Sequence, residues 1–297
     1  MQKVPGTLNQ HSTRSTLNLH EPKNRFDPTQ LEAQSVHIVL STMSAPKSLA
    51  IIIGAGPTSG AGVARVLARE GNMAVALLAR NQTNLEALRD ELRKSVKGGV
   101  FHSFPSDTSP SSLQKTFKAI AAHPELKELK LRLAIYHVKH SLKEPFMQTT
   151  PEAYGESLQT YATGAFAFGQ ESLRMMYAQN GGETLLADTN GEKKGTIIYT
   201  GTLGALRTNE GFAAYGSGRA GARSAAQAIA KEHSRTGVHC VHAIANGGIE
   251  NDSDSEATRT GKKMSAERVG ETYLWLASQK AALWTHELDL RPAQERF

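Results

Sequence analysis

The 297-residue chain has one cysteine, Cys240, no apolar run of membrane length and no block of like charge. A lone cysteine excludes an intramolecular disulfide and fits a reducing compartment, so the expected setting is cytoplasmic. A membrane-spanning helix needs about 18 consecutive apolar residues; the run VHIVL at 36–40 is far too short. A net charge of +6 without a basic cluster argues against a nucleic-acid surface and suits a protein that accommodates an anionic ligand. No metal-ligand set is expected. What remains, with 21% charged and 39% hydrophobic residues, is an ordinary globular composition. The length suits one large domain or two small ones.

Residues 1–47 differ in kind from the rest. MQKVPGTLNQHSTRSTLNLHEPKNRFDPTQ is polar, without apolar periodicity, and cannot bury enough surface to fold. The first twenty residues hold Lys3 and Arg14 and no acid, a faint likeness to a mitochondrial transit segment. Arginine is sparse there, and a disordered extension is the preferred expectation, with residues 48–297 as one domain.

From residue 48 strand and helix alternate. Apolar strand-like runs fall at 49–53, 74–78, 100–104, 131–136, 196–200, 238–244 and 285–290. Helix-like stretches lie between them, the longest being EAYGESLQTYATGAFAFGQESLRMMYAQ and AAYGSGRAGARSAAQAIAKEH. This alternation predicts an α/β fold, a Rossmann-like doubly wound parallel sheet of about seven strands with helices on both faces. Right-handed crossovers then put ligands at the carboxyl ends of the strands. Residues 179–195 read as a surface insertion at the opposite end, and the polar residues 250–263 as a candidate lid.

Two stretches carry chemistry. LAIIIGAGPTSGAG at 49–62 is a strand followed by a glycine turn, and TGTLGALRTNEGFAAYGSGR places Thr202, Tyr215 and Arg219 around a strand end and the next helix. Together they resemble the short-chain dehydrogenase/reductase family, whose signatures are a nucleotide-binding turn and a Ser…Tyr-x-x-x-Lys set. The resemblance spans nearly all of residues 47–292 and puts Thr202 at the Ser position, Arg219 at the Lys position and Tyr161 at the helix Asn position. It also makes Met43 a natural start for such a domain.

The glycine turn aligns with the family pattern in two ways. Gly56, Gly60 and Gly62 match the glycine spacing but shorten the following helix by two residues. Gly54, Thr58 and Gly60, with Ser59 between the last two, need no gap, and this register is preferred. In either, small residues bring backbone close to a pyrophosphate at a helix N-terminus, whose free N–H groups and dipole favour an anion.

The second strand ends in LLARN, with Arg80 and Asn81 where an acid would select NAD. A guanidinium matches the 2′-phosphate of NADP(H), against the plainer reading of a solvated arginine. Asp107 and Thr108 resemble the family's adenine-binding pair, although SDTSPSSL also reads as a helix start. Where the family has Asn-Asn-Ala-Gly beside the cofactor, this chain has Tyr136, His137, Val138 and Lys139. After the sixth strand, Gly247 and Ile249 fall near the position of the nicotinamide carboxamide.

The resemblance implies an NADP(H)-dependent oxidoreductase acting on a small-molecule carbonyl/alcohol pair. Tyr215 would act as general acid/base, Thr202 would position the carbonyl, and Arg219 would stand in for the lysine beside the cofactor. It also implies a homodimer or homotetramer built partly on the last strand. Tyr-x-x-x-Arg by itself is common, and Tyr161 follows Tyr154 and Leu158 at helical spacing as ordinary core would. The altered positions leave a second reading open: a nucleotide-binding protein of this fold whose redox activity is lost or turned to non-redox chemistry. The small residues Gly164 and Ala165 in one long helix, and Gly221 and Ala222 in the other, are expected to allow close helix pairing.

Overall fold

A computed structural model describes residues 44–140 and 143–295. The predicted extension falls almost wholly on residues 1–43, which lie outside the described residues.

The first half alternates β1 (Ser48–Ile53), α1 (Ser59–Arg69), β2 (Met73–Ala79), α2 (Gln82–Ser95), β3 (Phe101–Pro105), α3 (Pro110–Ala122) and β4 (Leu131–Tyr136). The second half holds α4 (Pro151–Leu158), α5 (Gly164–Gln179), β5 (Gly195–Gly201), α6 (Ala213–His233) and β6 (Val238–Ala245). It closes with β7 (Ile249–Glu250), α7 (Glu256–Arg259), β8 (Met264–Ser265), α8 (Ala266–Ser278) and β9 (Glu287–Leu290). Seven strands form one parallel sheet in the order β3-β2-β1-β4-β5-β6-β9, and β7 and β8 pair separately.

The central strands β1, β2, β4 and β6 are buried along nearly their whole length because both faces of the sheet are covered, while the edge strand β9 is partly exposed. In β1, Leu49, Ile51 and Ile53 enter one core layer, while Ala50 and Ile52 enter the other. The first layer is shared with α3, α5 and α6, and the second with α1, α2 and α8. Local signals set the helix starts: Ser109 and Thr150 cap α3 and α4, each followed by proline in the first turn. The chain reverses direction across the sheet between β1 and β4, and the carboxyl ends of these strands open a crevice there. No helix among the described residues is long and apolar enough to cross a membrane.

The predicted helix from residue 152 to 179 is interrupted. A π-turn, Gln159–Thr163, separates α4 from α5 and carries Tyr161 into the interior. Gly164 does not pair with α6 as expected. It faces β4 and the β3–α3 turn, where a Cβ would come within 2.6 Å of the Tyr136 hydroxyl and 2.7 Å of Thr108 Cβ. Gly221 does meet the neighbouring helical layer, with a Cβ placed 2.6 Å from that of Ala162.

The insertion at 179–195 is tied down by its own lysines. Lys194 donates to the carbonyls of Thr184 and Thr236, and Lys193 to those of Ala277 and Gln279. The 250–263 segment is built from β7 and α7, leads into β8, and meets α1 through Arg65 and Asn251.

Candidate active site

Gly54 leaves β1 with φ +85°, and its amide and that of Ala55 donate to the Leu78 carbonyl at 2.8 and 3.1 Å. A side chain at Gly54 would overlap the His137 carbonyl. At Gly60 a Cβ would lie 2.9 Å from Ala55 Cα, whereas at Gly56 nothing comes nearer than 4.0 Å. The close backbone approaches in the turn therefore fall on Gly54 and Gly60. Gly62 belongs to helix packing, since a Cβ there would strike Ala266 of α8. Thr58 precedes α1 without a side-chain cap bond and is exposed.

A cavity of about 290 Å³ lies over this turn, lined by residues that include Gly54, Gly56, Arg80, Asp107, Thr108, Val138 and His140. Arg80 is exposed at its rim. Asn81 is the N-cap of α2, its Oδ1 accepting the Asn84 amide at 2.9 Å, so its side chain serves the helix. The Asp107 carboxylate accepts both the amide and the hydroxyl of Ser109, at 2.8 and 2.6 Å. Those bonds hold its carboxyl below the usual range.

His137 is not brought to the crevice as a side chain. Its ring turns inward, 8% exposed, with Nδ1 2.8 Å from Thr200 Oγ1 and Nε2 2.7 Å from Ser59 Oγ. Burial, and secondarily the Arg219 cation, push it down to about 4. Both nitrogens are engaged, which also removes it as a spare proton donor. Lys139, two residues on, does line the cavity.

The second cluster sits where β5 ends and α6 begins. Thr202 Oγ1 and the Tyr215 hydroxyl are 3.0 Å apart. Thr202 also accepts the Gly204 amide at 3.3 Å and so fixes the short turn Leu203–Ala205. A Cβ at Gly204 would come within 2.9 Å of the Tyr215 ring. Phe212 packs edge-on to that ring at 5.9 Å.

Arg219 lies one helical turn after Tyr215 and is 5% exposed. Its guanidinium donates to the Thr200 carbonyl at 2.7 Å, the Val138 carbonyl at 3.1 Å and the Tyr161 hydroxyl at 3.4 Å. Its central carbon is 4.1 Å from the Tyr161 ring centroid and 5.2 Å from that of Tyr215. The Tyr161 hydroxyl in turn accepts the His140 amide and donates to the His140 carbonyl. Burial raises the Tyr161 phenol. Tyr161 is thus a clamp on the segment after β4, with its hydroxyl fully engaged.

Gly247 follows β6 with φ +121°, where a Cβ would meet the Pro292 ring at 2.7 Å. The preceding Asn246 accepts the Leu203 amide at 3.3 Å and donates to Glu295 at 3.0 Å. The first of these bonds ties the turn after β6, which carries Gly247, to the residue after Thr202. Tyr215, Thr202, Arg219 and Tyr161 therefore meet in one cluster, while Gly54, Arg80, Asp107 and Thr108 meet in the adjoining cavity. The polar line through Ser59, His137, Thr200 and Tyr273 escaped the sequence, which offers only scattered hydroxyls and a histidine as its signal.

Residues 48–262 match the short chain dehydrogenase family. The chain belongs to the short-chain dehydrogenase/reductase family of oxidoreductases. A curated relative, the 3-oxoacyl-acyl-carrier-protein reductase FabG of Vibrio cholerae, is 25% identical over 256 residues, covering 82% of this chain and 96% of that protein. The solved short-chain dehydrogenase of Rhodopseudomonas palustris superimposes with a TM-score of 0.65 at 27% identity, covering 83% of this chain and 99% of the other. An alcohol dehydrogenase of Thermococcus sibiricus, complexed with 5-hydroxy-NADP, shares the fold with a TM-score of 0.67 at 18% identity, over 84% and 98% of the two chains.

Proposed function

We propose that this protein is an NADP(H)-dependent oxidoreductase acting on a carbonyl/alcohol pair, with Tyr215 as general acid and base. The observation that carries this reading is the 3.0 Å contact between Thr202 Oγ1 and the Tyr215 hydroxyl beside the glycine-turn cavity. The residues present suit a dinucleotide. Glycine stands where a Cβ would crowd the turn at 54 and 60, and the N-terminus of α1 follows directly. Thr58 and Ser59 would flank the pyrophosphate, Arg80 a 2′-phosphate, Asp107 and Thr108 the adenine, and Gly247 and Ile249 the nicotinamide.

When bound, the dinucleotide supplies or accepts the hydride. Thr202 holds the carbonyl oxygen by its hydroxyl, and Tyr215 gives that oxygen its proton. In the reverse direction Tyr215 takes the proton back. The Arg219 cation lies 5.2 Å from the centroid of the Tyr215 ring. Tyr215 is partly exposed, so its proton is replaced from solvent. Arg219 directs one terminal nitrogen to the Thr200 carbonyl and the other to the Val138 carbonyl, so part of its hydrogen bonding goes to the protein where the family's lysine would face the cofactor.

That last feature favours a second reading, a nucleotide-binding protein whose redox activity is lost or replaced by non-redox chemistry. Titration with NADPH and NADP⁺, then a carbonyl panel followed at the nicotinamide absorbance, separates the two. Turnover supports the oxidoreductase, and binding without turnover on any carbonyl or alcohol supports the second reading. We further propose a cytoplasmic homo-oligomer: β9 is an open sheet edge, and Trp275 and Leu283 are exposed apolar side chains. Light scattering in solution tests the assembly, and a monomer at micromolar concentration refutes it.

A further inference from the structure

Four side chains far apart in sequence meet in an unbroken line beneath the glycine turn. The Tyr273 hydroxyl is 2.7 Å from Thr200 Oγ1, Thr200 Oγ1 is 2.8 Å from His137 Nδ1, and His137 Nε2 is 2.7 Å from Ser59 Oγ. Tyr273 belongs to α8 and is fully buried, while Ser59 opens α1 and is partly exposed. The line therefore runs from the interior to the partly exposed start of α1.

It also has a direction. A neutral imidazole has one N–H and one lone pair, so His137 accepts from one neighbour and donates to the other. With Nδ1–H donating inward to Thr200 Oγ1, the Thr200–Tyr273 contact uses only one of their two hydroxyl hydrogens, and the other meets no acceptor among the described residues. A buried donor without a partner is costly, so that direction is disfavoured. Pointing outward, Tyr273 donates to Thr200, Thr200 donates to His137 Nδ1, and His137 Nε2–H donates to Ser59. The hydroxyl hydrogen of Ser59 is then left at the exposed end with nothing behind it to bond. The ring is neutral at working pH, as burial and the nearby Arg219 cation require.

We propose that Tyr273, Thr200 and His137 are positioning residues that orient the Ser59 hydroxyl as a hydrogen-bond donor to the pyrophosphate of the dinucleotide. The inference rests on the nucleotide reading above. Ser59 is the first residue of α1, where free backbone N–H groups and the helix dipole favour an anion. The interior line adds a side-chain donor whose aim is set before the ligand arrives, so no rotor has to be ordered on binding.

The test joins binding in the binary complex with a reading of the unmodified protein. Nitrogen-15 spectra of the histidines at pH 7, with His137 assigned by comparison with His137→Gln, should show the Nε2–H tautomer at His137. NADPH affinity, followed by nicotinamide fluorescence, should fall about tenfold in Ser59→Ala, the loss of one hydrogen bond to a charged group. Tyr273→Phe should weaken NADPH by a smaller factor in the parent and add nothing in the Ser59→Ala background. An Nδ1–H tautomer or an imidazolium at His137 overturns the proposed direction without any substitution. Ser59→Ala binding like the parent overturns the donor role alone. A parent that binds neither NADPH nor NADH overturns the nucleotide reading and this inference together.

Discussion

Thr202 and Tyr215 join their hydroxyls at 3.0 Å across the junction between β5 and α6. Each is held by something other than the pair itself: Thr202 by the Gly204 amide, and Tyr215 by Phe212 and the close approach of Gly204. Removing the Tyr215 hydroxyl should therefore leave the architecture in place, whereas removing that of Thr202 also takes the acceptor from the Gly204 amide. Tyr215→Phe is expected to bind NADPH like the parent while turnover falls by about 10² or more, the range for a lost general acid. Thr202→Val, which keeps the branched shape, should also lower turnover. Steady-state rates alongside binding titrations check both, and two variants with parental turnover would sink the assigned roles.

Arg80 should select the phosphate. Exposed at the cavity rim, it makes no ion pair with the described residues and has its charge available for a ligand. Opposite charges about 4 Å apart near a surface attract by roughly 4 kcal/mol before desolvation, so Arg80→Asp should weaken NADPH by at least about tenfold after that discount. NADH affinity should change little. Equal weakening of the two cofactors would show that the residue supports the turn and does not choose between them.

Arg219→Lys tests whether the arginine is adapted to its place. An ammonium cannot reach the carbonyls of Thr200 and Val138 together with the Tyr161 face, because it lacks the planar fork. The variant is expected to lose about 1–3 kcal/mol of stability, the cost of a buried acceptor left without its donor. Its turnover should fall. Urea unfolding and NADPH-dependent rates measure the two effects, and a large gain in rate would instead mark Arg219 as the cause of a weakened site.

Acid should destabilise the fold before the carboxylates titrate. Burial pushes both His137 and His239 down to about 4, well under the value of about 6.5 in an unfolded chain. Between those values the unfolded chain binds protons that the folded one refuses. This contribution to stability is therefore complete above about pH 6.5 and declines as pH falls toward 4. Urea midpoints across that window should drop, and His137→Gln should remove up to one proton from the slope. A flat profile would mean that both rings accept protons in place.

The order of strands and helices was open to sequence reading because the central strands are short, largely apolar runs buried on both faces. The run at 131–136 coincides with β4 from Leu131 to Tyr136. Thr202 and Tyr215 were also legible, since a strand end and a helix start fix their relative position. The π-turn was not. Tyr154, Leu158 and Tyr161 keep helical spacing, and only the tertiary pull on the Tyr161 hydroxyl by His140 reveals the extra residue. The inward turn of His137 was equally hidden, because its partners come from positions 59 and 200, which no local pattern connects.

The stacked pair of Arg219 and Tyr161 has a consequence for how this site can change. With Asn at 161 and arginine kept at 219, the guanidinium would lose the ring it lies on, and the His140 amide and carbonyl would lose their shared partner. With Lys at 219 and tyrosine kept at 161, one of the carbonyls of Thr200 and Val138 would lose its donor. Each single step toward the family's Asn and Lys therefore passes through a damaged interior, and the two positions are expected to be strongly epistatic. A path to that pair goes through both changes at once, or through a third substitution that first gives the backbone of Val138 and His140 other partners.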